Sequence, residues 1–292
     1  MENKYTHLER LSNPEVNGIL NGEIYCYPKL DGANTSIEFI DGEICFRSRK
    51  RILSGENTLK GFVNYCVENP DNYYQLNNFF LQYPEIIIFG EWLIPHSIKY
   101  YKHEAWNKFY IFDFYNKSTN TYLNFESCRE KFSNLLQNYE FVPLLKSFKN
   151  LNNQDILLNL SKSNNYLLDS KSLIGEGIVI KNYSFVNKYG RIAFAKLINE
   201  RTHTHTITTE KNISPEKLLL DKYLSNEYIL KEINKINEPH RNVPTVINTI
   251  FYEFIRDYIL EIVGTEKNLS IDFKNLKKEI SNIIRDTLFI KK

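Results

Sequence analysis

The sequence predicts an α+β fold of antiparallel sheets with flanking helices, followed by a small all-α C-terminal domain. Three observations carry this prediction. Between Glu23 and Ile198, runs rich in β-branched and aromatic residues recur between turn signals, with helical patterns interposed. From Asn199 to Asn212, a stretch including Thr202-His-Thr-His-Thr206, there is no clear apolar period, as in a linker. Beyond it the periodicity becomes helical throughout. A chain of 292 residues is long enough for two moderate domains, and the change of pattern places them at residues 1–204 and 213–292.

From Glu23 to Arg49 the order is strand, tight loop, hairpin. Asp41-Gly42 separates Thr35 to Ile40 from Glu43 to Arg47, two segments of strand composition. Lys29 falls in the loop before this hairpin. Helices are predicted at about 57–68 and 71–82, with Asn69-Pro70 ending the first. The run Glu85 to Leu93 (EIIIFGEWL) is strongly β-like, and Phe109 to Tyr115 (FYIFDFY) is a further strand. A helix near 125–138 and a polar, Asn-rich stretch to about 170 precede two strands, Gly177 to Tyr183 and Arg191 to Ile198. Ser214-Pro215-Glu216 is a helix start, with a Ser cap and Pro in the first turn, and Leu218, Leu219, Tyr223, Leu224, Ile229 and Ile233 recur at helical spacing. Two more helices are expected at about 243–263 and 272–289.

Composition excludes several classes. With 42% hydrophobic and 25% charged residues the chain is neither disordered nor fibrous. Its apolar runs fall far short of the roughly 20 residues of a membrane helix, and the polar N-terminus has no signal-peptide core, so a cytoplasmic or intracellular location without membrane association is expected. Cys26, Cys45, Cys66 and Cys128 form no CxxC pair, which argues against a zinc site or a disulfide framework. A net charge of +2 supplies no global positive field, and Ile213 to Lys292 carries 13 Lys/Arg against 12 Asp/Glu, so contacts to nucleic acid have to be local.

Chemistry concentrates around Lys29-Leu-Asp-Gly-Ala-Asn34. A lysine beside a glycine turn suits nucleophilic work, because glycine lets backbone approach a ligand and a lysine near other cations has a lowered pKa. Alone, KxDG is a charged turn. Four further polar elements follow in order at predicted strand ends: Arg47-Ser-Arg49, Phe89-Gly-Glu-Trp92, Gly175-Glu-Gly177 and Lys196.

This set resembles the covalent nucleotidyltransferase superfamily of ATP-dependent ligases and capping enzymes. KLDGAN, with Asn five residues after the lysine, is similar to the RNA ligase pattern, in particular the RNA ligase 2 branch with its helical C-terminal domain. FGEWLIPHSIKYY and WNKFYIFDFY are also similar to that branch. The resemblance implies an ATP-grasp-like adenylyltransferase domain and a polynucleotide ligase for RNA repair that joins 5′-phosphate to 3′-hydroxyl ends. ATP and Mg2+ or Mn2+ are the implied cofactors, and RNA, as a nicked duplex or RNA/DNA hybrid, the implied partner of a monomer.

Residue by residue, the resemblance makes Lys29 the nucleophile that carries AMP. Asn34 and Arg49 match residues near the nucleotide phosphates and the nucleic-acid end, where a guanidinium grips phosphate oxygens. Glu91 matches the carboxylate on the ribose, Phe112 the aromatic that stacks on adenine, Glu176 the carboxylate that helps place a divalent cation, and Lys196 the lysine that neutralises the α-phosphate. Two departures stand out. Phe194-Ala-Lys196 holds one lysine where the family often has KxK, leaving Lys181, Lys188 or Arg191 as replacements, and Pro28 stands where a Glu often reads the adenine amine. A DNA-joining ligase and a capping guanylyltransferase are the alternatives; both commonly carry an OB-type β domain, against which the helical tail argues. His203 and His205, without a third ligand, do not make a metal site, and His96 lies near the central motif without an assigned role.

Overall fold

A computed structural model of the protein describes residues 5–49, 51–54, 58–95, 98–199, 214–234, 236, 238–265 and 271–289. Two compact units result, Met1–Asn199 and Glu200–Lys292. The first begins with a short strand, β1 (Leu8–Arg10), and β2 (Glu23–Lys29) leads to the lysine of interest. The expected hairpin is β3 (Ala33–Ile40) and β4 (Glu43–Ser48); Asp41 and Gly42 have φ of 51° and 88°, the hand that a two-residue hairpin turn requires. β5 (Ile52–Leu53), α1 (Phe62–Val67), α2 (Pro70–Gln82), β6 (Ile86–Trp92) and β7 (Phe109–Asn116) follow. After β8 (Thr121–Tyr122) come α3 (Phe125–Phe132), β9 (Glu140–Phe141), β10 (Lys146–Lys149) and α4 (Asp155–Ser163), and β11 (Gly177–Lys181) and β12 (Phe194–Ile198) complete the unit.

The strands form two sheets. One has the order β1-β12-β11-β2-β10, the other β5-β4-β3-β6-β7-β8 with β9 against β7. Pairings are antiparallel except β1 with β12 and β7 with β9. Side chains alternate across a strand, so each sheet has two faces. Ile24 and Cys26 of β2 and Ile178 and Ile180 of β11 pack with Leu151 and Leu157, forming a small core under α4. A larger core surrounds Ile37, Phe62, Leu76, Phe79, Ile88 and Phe114, where α1, α2 and α3 cover the second sheet. Full burial of each such side chain contributes about 1.5–3 kcal/mol.

Several expectations need correction. The helix predicted at 57–68 begins only at Phe62, because Leu59, Lys60 and Gly61 all have positive φ and cannot continue a right-handed helix. The helix predicted at 125–138 stops at Phe132; irregular turns then bring Leu136 and Tyr139 into the core. Lys29 is the last residue of β2, paired with Gly177, rather than part of a loop. The strand predicted from Arg191 starts at Phe194, since Val186 and Ile192 close a separate small turn first. The Asn-rich stretch holds two strands and a helix.

In the second unit the described residues form four helices: α5 (Pro215–Tyr223), α6 (Asn226–Asn234), α7 (Val243–Thr265) and α8 (Phe273–Phe289). The Ser214 side chain accepts from the Lys217 N–H at 3.2 Å, a regular N-cap. Leu276, Ile280, Ile284 and Leu288, four residues apart, give α8 a buried stripe that meets Leu219, Val246, Ile250 and Phe254. No helix among the described residues is long and apolar enough to cross a membrane. Of the predicted linker, Asn199 donates its N–H to the Glu176 carbonyl at 2.9 Å, and residues 200–212, with His203 and His205, lie outside the described residues, as does His96.

Candidate active site

Residues in register on paired strands share a face. On the first sheet Lys29 pairs with Gly177, Tyr27 with Val179, Val179 with Lys196, and Lys196 with Arg10. Lys29, Lys181, Lys196 and Arg10 therefore project from one face. On the second sheet Asn34 pairs with Glu91, and Phe89 with Asp113. The two faces look at each other, because Lys181 donates to Asp113 at 2.9 Å across the gap between them.

At the open end of that gap the Lys29 ammonium donates to Glu176 at 2.8 Å, both side chains largely shielded at 16% and 9% exposure. The loop that follows is fastened at Asp31 and Gly32. Asp31, fully buried, accepts the Ile98 N–H at 2.7 Å and donates its own N–H to the Tyr101 hydroxyl at 3.0 Å. Burial, and the Asp31 charge after it, push that hydroxyl well above the usual tyrosine range, so it stays neutral. Gly32 donates its N–H to Glu91 at 2.9 Å, and a Cβ there would lie 2.5 Å from the Trp92 carbonyl oxygen. Only glycine lets the loop lie flat on β6, which is why KxDG needs its last residue.

Gly177, opposite Lys29, has φ of 152°, and a Cβ on it would meet the Leu197 carbonyl oxygen at 2.1 Å. Gly177→Ala is expected to push β12 away, lowering stability by about 1–3 kcal/mol in a thermal melt, the scale of overpacking, and to displace Lys196 with it.

Lys29 thus pairs with Glu176, while Glu91 holds the loop that follows Lys29 and stands in register with Asn34. Lys196 lies two strands from Lys29 on the same face, 8% exposed. Arg49, just beyond the end of β4, contacts His7 at 3.0 Å. Phe112 sits where the β6–β7 register slips, half-buried; its carbonyl accepts Lys181, and Tyr5 packs edge-on against its ring at 4.9 Å. Of the three cations offered in place of the second lysine, Lys181 is committed to Asp113, while Lys188 and Arg191 are exposed around the 186–192 turn. Arg10 is in register with Lys196 across the β1–β12 pairing. Sequence reasoning passed over Arg10 and His7, which precede every motif, and Asp31, whose part in KLDG is to fasten the loop. No cluster of three metal-ligating side chains occurs among the described residues.

Two facing sheets with a lysine at a strand end, a carboxylate on it and further cations along the same face make an α+β site suited to phosphate chemistry. Residues 22–198 match the RNA ligase family, and the chain belongs to that family. Among solved structures it is similar to the RNA ligase of Naegleria gruberi: a mutant without ligand and a mutant with AMP and Mn, each with a TM-score of 0.51 at 20% identity over 67% of this chain and 55% of that one. A mutant of the same ligase with ATP and Mn gives 0.51, 20%, 67% and 56%. The chain thus spans little more than half the length of the structures it matches. No curated protein matches it.

Proposed function

We propose that this chain is an ATP-dependent RNA ligase that joins 5′-phosphate and 3′-hydroxyl ends through lysyl-AMP and an adenylylated nucleic-acid end. The observation that carries this reading is the Lys29–Glu176 pair at the end of β2, in a chain of the RNA ligase family. Lys29 gives up its proton and its pair with Glu176, and its nitrogen attacks the α-phosphorus of ATP. An N–P bond forms, the bond to the β-phosphate bridging oxygen breaks, and pyrophosphate leaves. A 5′-phosphate oxygen then displaces Lys29 from AMP, and a 3′-hydroxyl, losing its proton, displaces AMP from the activated end.

Each step is in-line phosphoryl transfer, so positioning and charge neutralisation do most of the work. Lys196 neutralises the α-phosphate, and Arg10 beside it supplies the cation that the missing second lysine leaves wanting. Glu91 accepts from the ribose hydroxyls while its hold on Gly32 keeps the loop in place, Asn34 and Arg49 bind phosphate oxygens, and Phe112 stacks on adenine. Magnesium keeps several waters and takes one or two carboxylates beside substrate phosphates; Glu176, which holds the Lys29 ammonium at 2.8 Å, supplies a hard oxygen donor of that kind once Lys29 gives up the pair. A divalent cation, magnesium or manganese, held there would offset phosphate charge. Residues 1–204 form the adenylyltransferase domain in this reading, and 213–292 an all-α domain that engages the nucleic acid.

The test is incubation with α-labelled ATP or GTP and magnesium, followed by denaturation and a gel. Label retained from ATP is expected; none from either nucleotide would sink the covalent mechanism. Joining of a nicked RNA duplex, compared with single strands and nicked DNA, then reads the substrate.

A further inference from the structure

Residues 5–10 lie outside the span that matches the family, yet they tie the two sheets together at the site. The Tyr5 hydroxyl donates to Asp113 of β7 at 2.8 Å, and β1 pairs with β12 beside Lys196. Between these anchors His7 Nδ1 meets Arg49 Nη2 at 3.0 Å. A guanidinium has five donors and no acceptor, so His7 must accept, which fixes the imidazole as neutral with its proton on Nε2. That nitrogen faces Glu9 Oε1 at 3.9 Å, and the other Glu9 oxygen accepts the Asn13 side-chain amide at 2.7 Å. The His7 and Glu9 side chains are 20% and 15% exposed, so water does little to weaken the arrangement.

We propose that His7 is a positioning residue for Arg49, its Nδ1 accepting from the guanidinium and holding it ready for a phosphate. The chemistry favours histidine over a carboxylate at this place. A carboxylate would hold the arginine more tightly but would neutralise the charge that the phosphate needs, whereas a neutral acceptor fixes the guanidinium and leaves its full charge and remaining donors available. An arginine carries about 2 kcal/mol of rotamer entropy, and restraining it before substrate arrives removes part of that loss from the binding step.

The inference rests on the ligase reading above, and the experiment separates the two. Lysyl-AMP formation and the joining of 5′-phosphorylated RNA are measured for the wild type, His7→Ala, Arg49→Ala, the double variant and His7→Asn, whose Oδ1 replaces Nδ1 as acceptor. His7→Ala is expected to lower phosphate-dependent joining about tenfold, the scale of one hydrogen bond to a charged group. The same substitution is expected to have no further effect once Arg49 is alanine, and His7→Asn to recover most of the loss. Additive effects of the two alanines, or a His7→Asn variant no better than His7→Ala, would overturn the proposal while leaving the ligase reading intact. A wild type that neither takes label nor joins RNA would overturn both.

Discussion

Lys29→Ala is expected to abolish the retention of ATP-derived label, by more than about a thousandfold, because no other group takes the place of a covalent nucleophile. Lys29→Arg should fail equally, since a guanidinium does not deprotonate. The same variants should still join RNA whose 5′ end already carries AMP, for the bond that Lys29 makes is needed only to place AMP there. The side chain is largely shielded and pairs with Glu176 at the end of β2, and folding should survive its removal, as circular dichroism would show. Label remaining on Lys29→Ala would move the nucleophile elsewhere, and loss of joining on the adenylylated strand would give Lys29 a part in the last step.

The second large effect is on stability. Lys181 and Asp113 are almost wholly buried, and burial pushes the carboxyl up and the ammonium down, each partly offset by the other. The Lys181 ammonium also lies among the rings of Tyr27, Phe112, Phe125 and Phe194, at 4.9 to 5.6 Å from their centroids. Lys181→Met strands a buried carboxylate and should lower unfolding stability by about 3–5 kcal/mol in a urea titration. Asp113→Leu should do the same to the ammonium. The double variant is expected to recover a substantial part of the loss, because an apolar pair requires no desolvation of charge. Equal losses in the double and single variants would mean that the pair's hydrogen bonds to Tyr5 and Tyr183, at 2.8 and 3.1 Å, matter more than its charge.

Most of what was legible in the sequence depends on local rules. The β3–β4 hairpin follows from Asp41-Gly42, β6 from an unbroken Ile-Ile-Ile-Phe run, and the cap of α5 from Ser214-Pro215, whereas Asn69-Pro70, expected to end the first helix, caps the start of α2. Short elements escaped because they lack periodicity: β10 is an edge strand of four residues, KSFK, and α4 sits in Asn-rich chain where turn composition hides its apolar spacing. At the site, Lys29, Glu91 and Glu176 stand out by residue type and order. The Lys181–Asp113 pair joins residues 68 apart, and the His7–Arg49 contact spans 42. Neither has a local signal, since both arise only when two sheets close on each other. Lys181 therefore stands, in the sequence, as one of three candidates for the missing second lysine.

The parallel pairing of β1 with β12 also bears on how the first unit comes together. Leu8 lies against Phe194, partners 186 residues apart. Closing so long a loop is slow relative to forming hairpins, because its entropy is lost before the contacts reward it. During synthesis from the N-terminus, β1 has no strand to join until β12 has left the ribosome, so the β3–β4 hairpin and its pairing with β6 can form first and β1 last. The cation-bearing strand would then dock onto an otherwise finished framework, making the pocket's completion a late folding event.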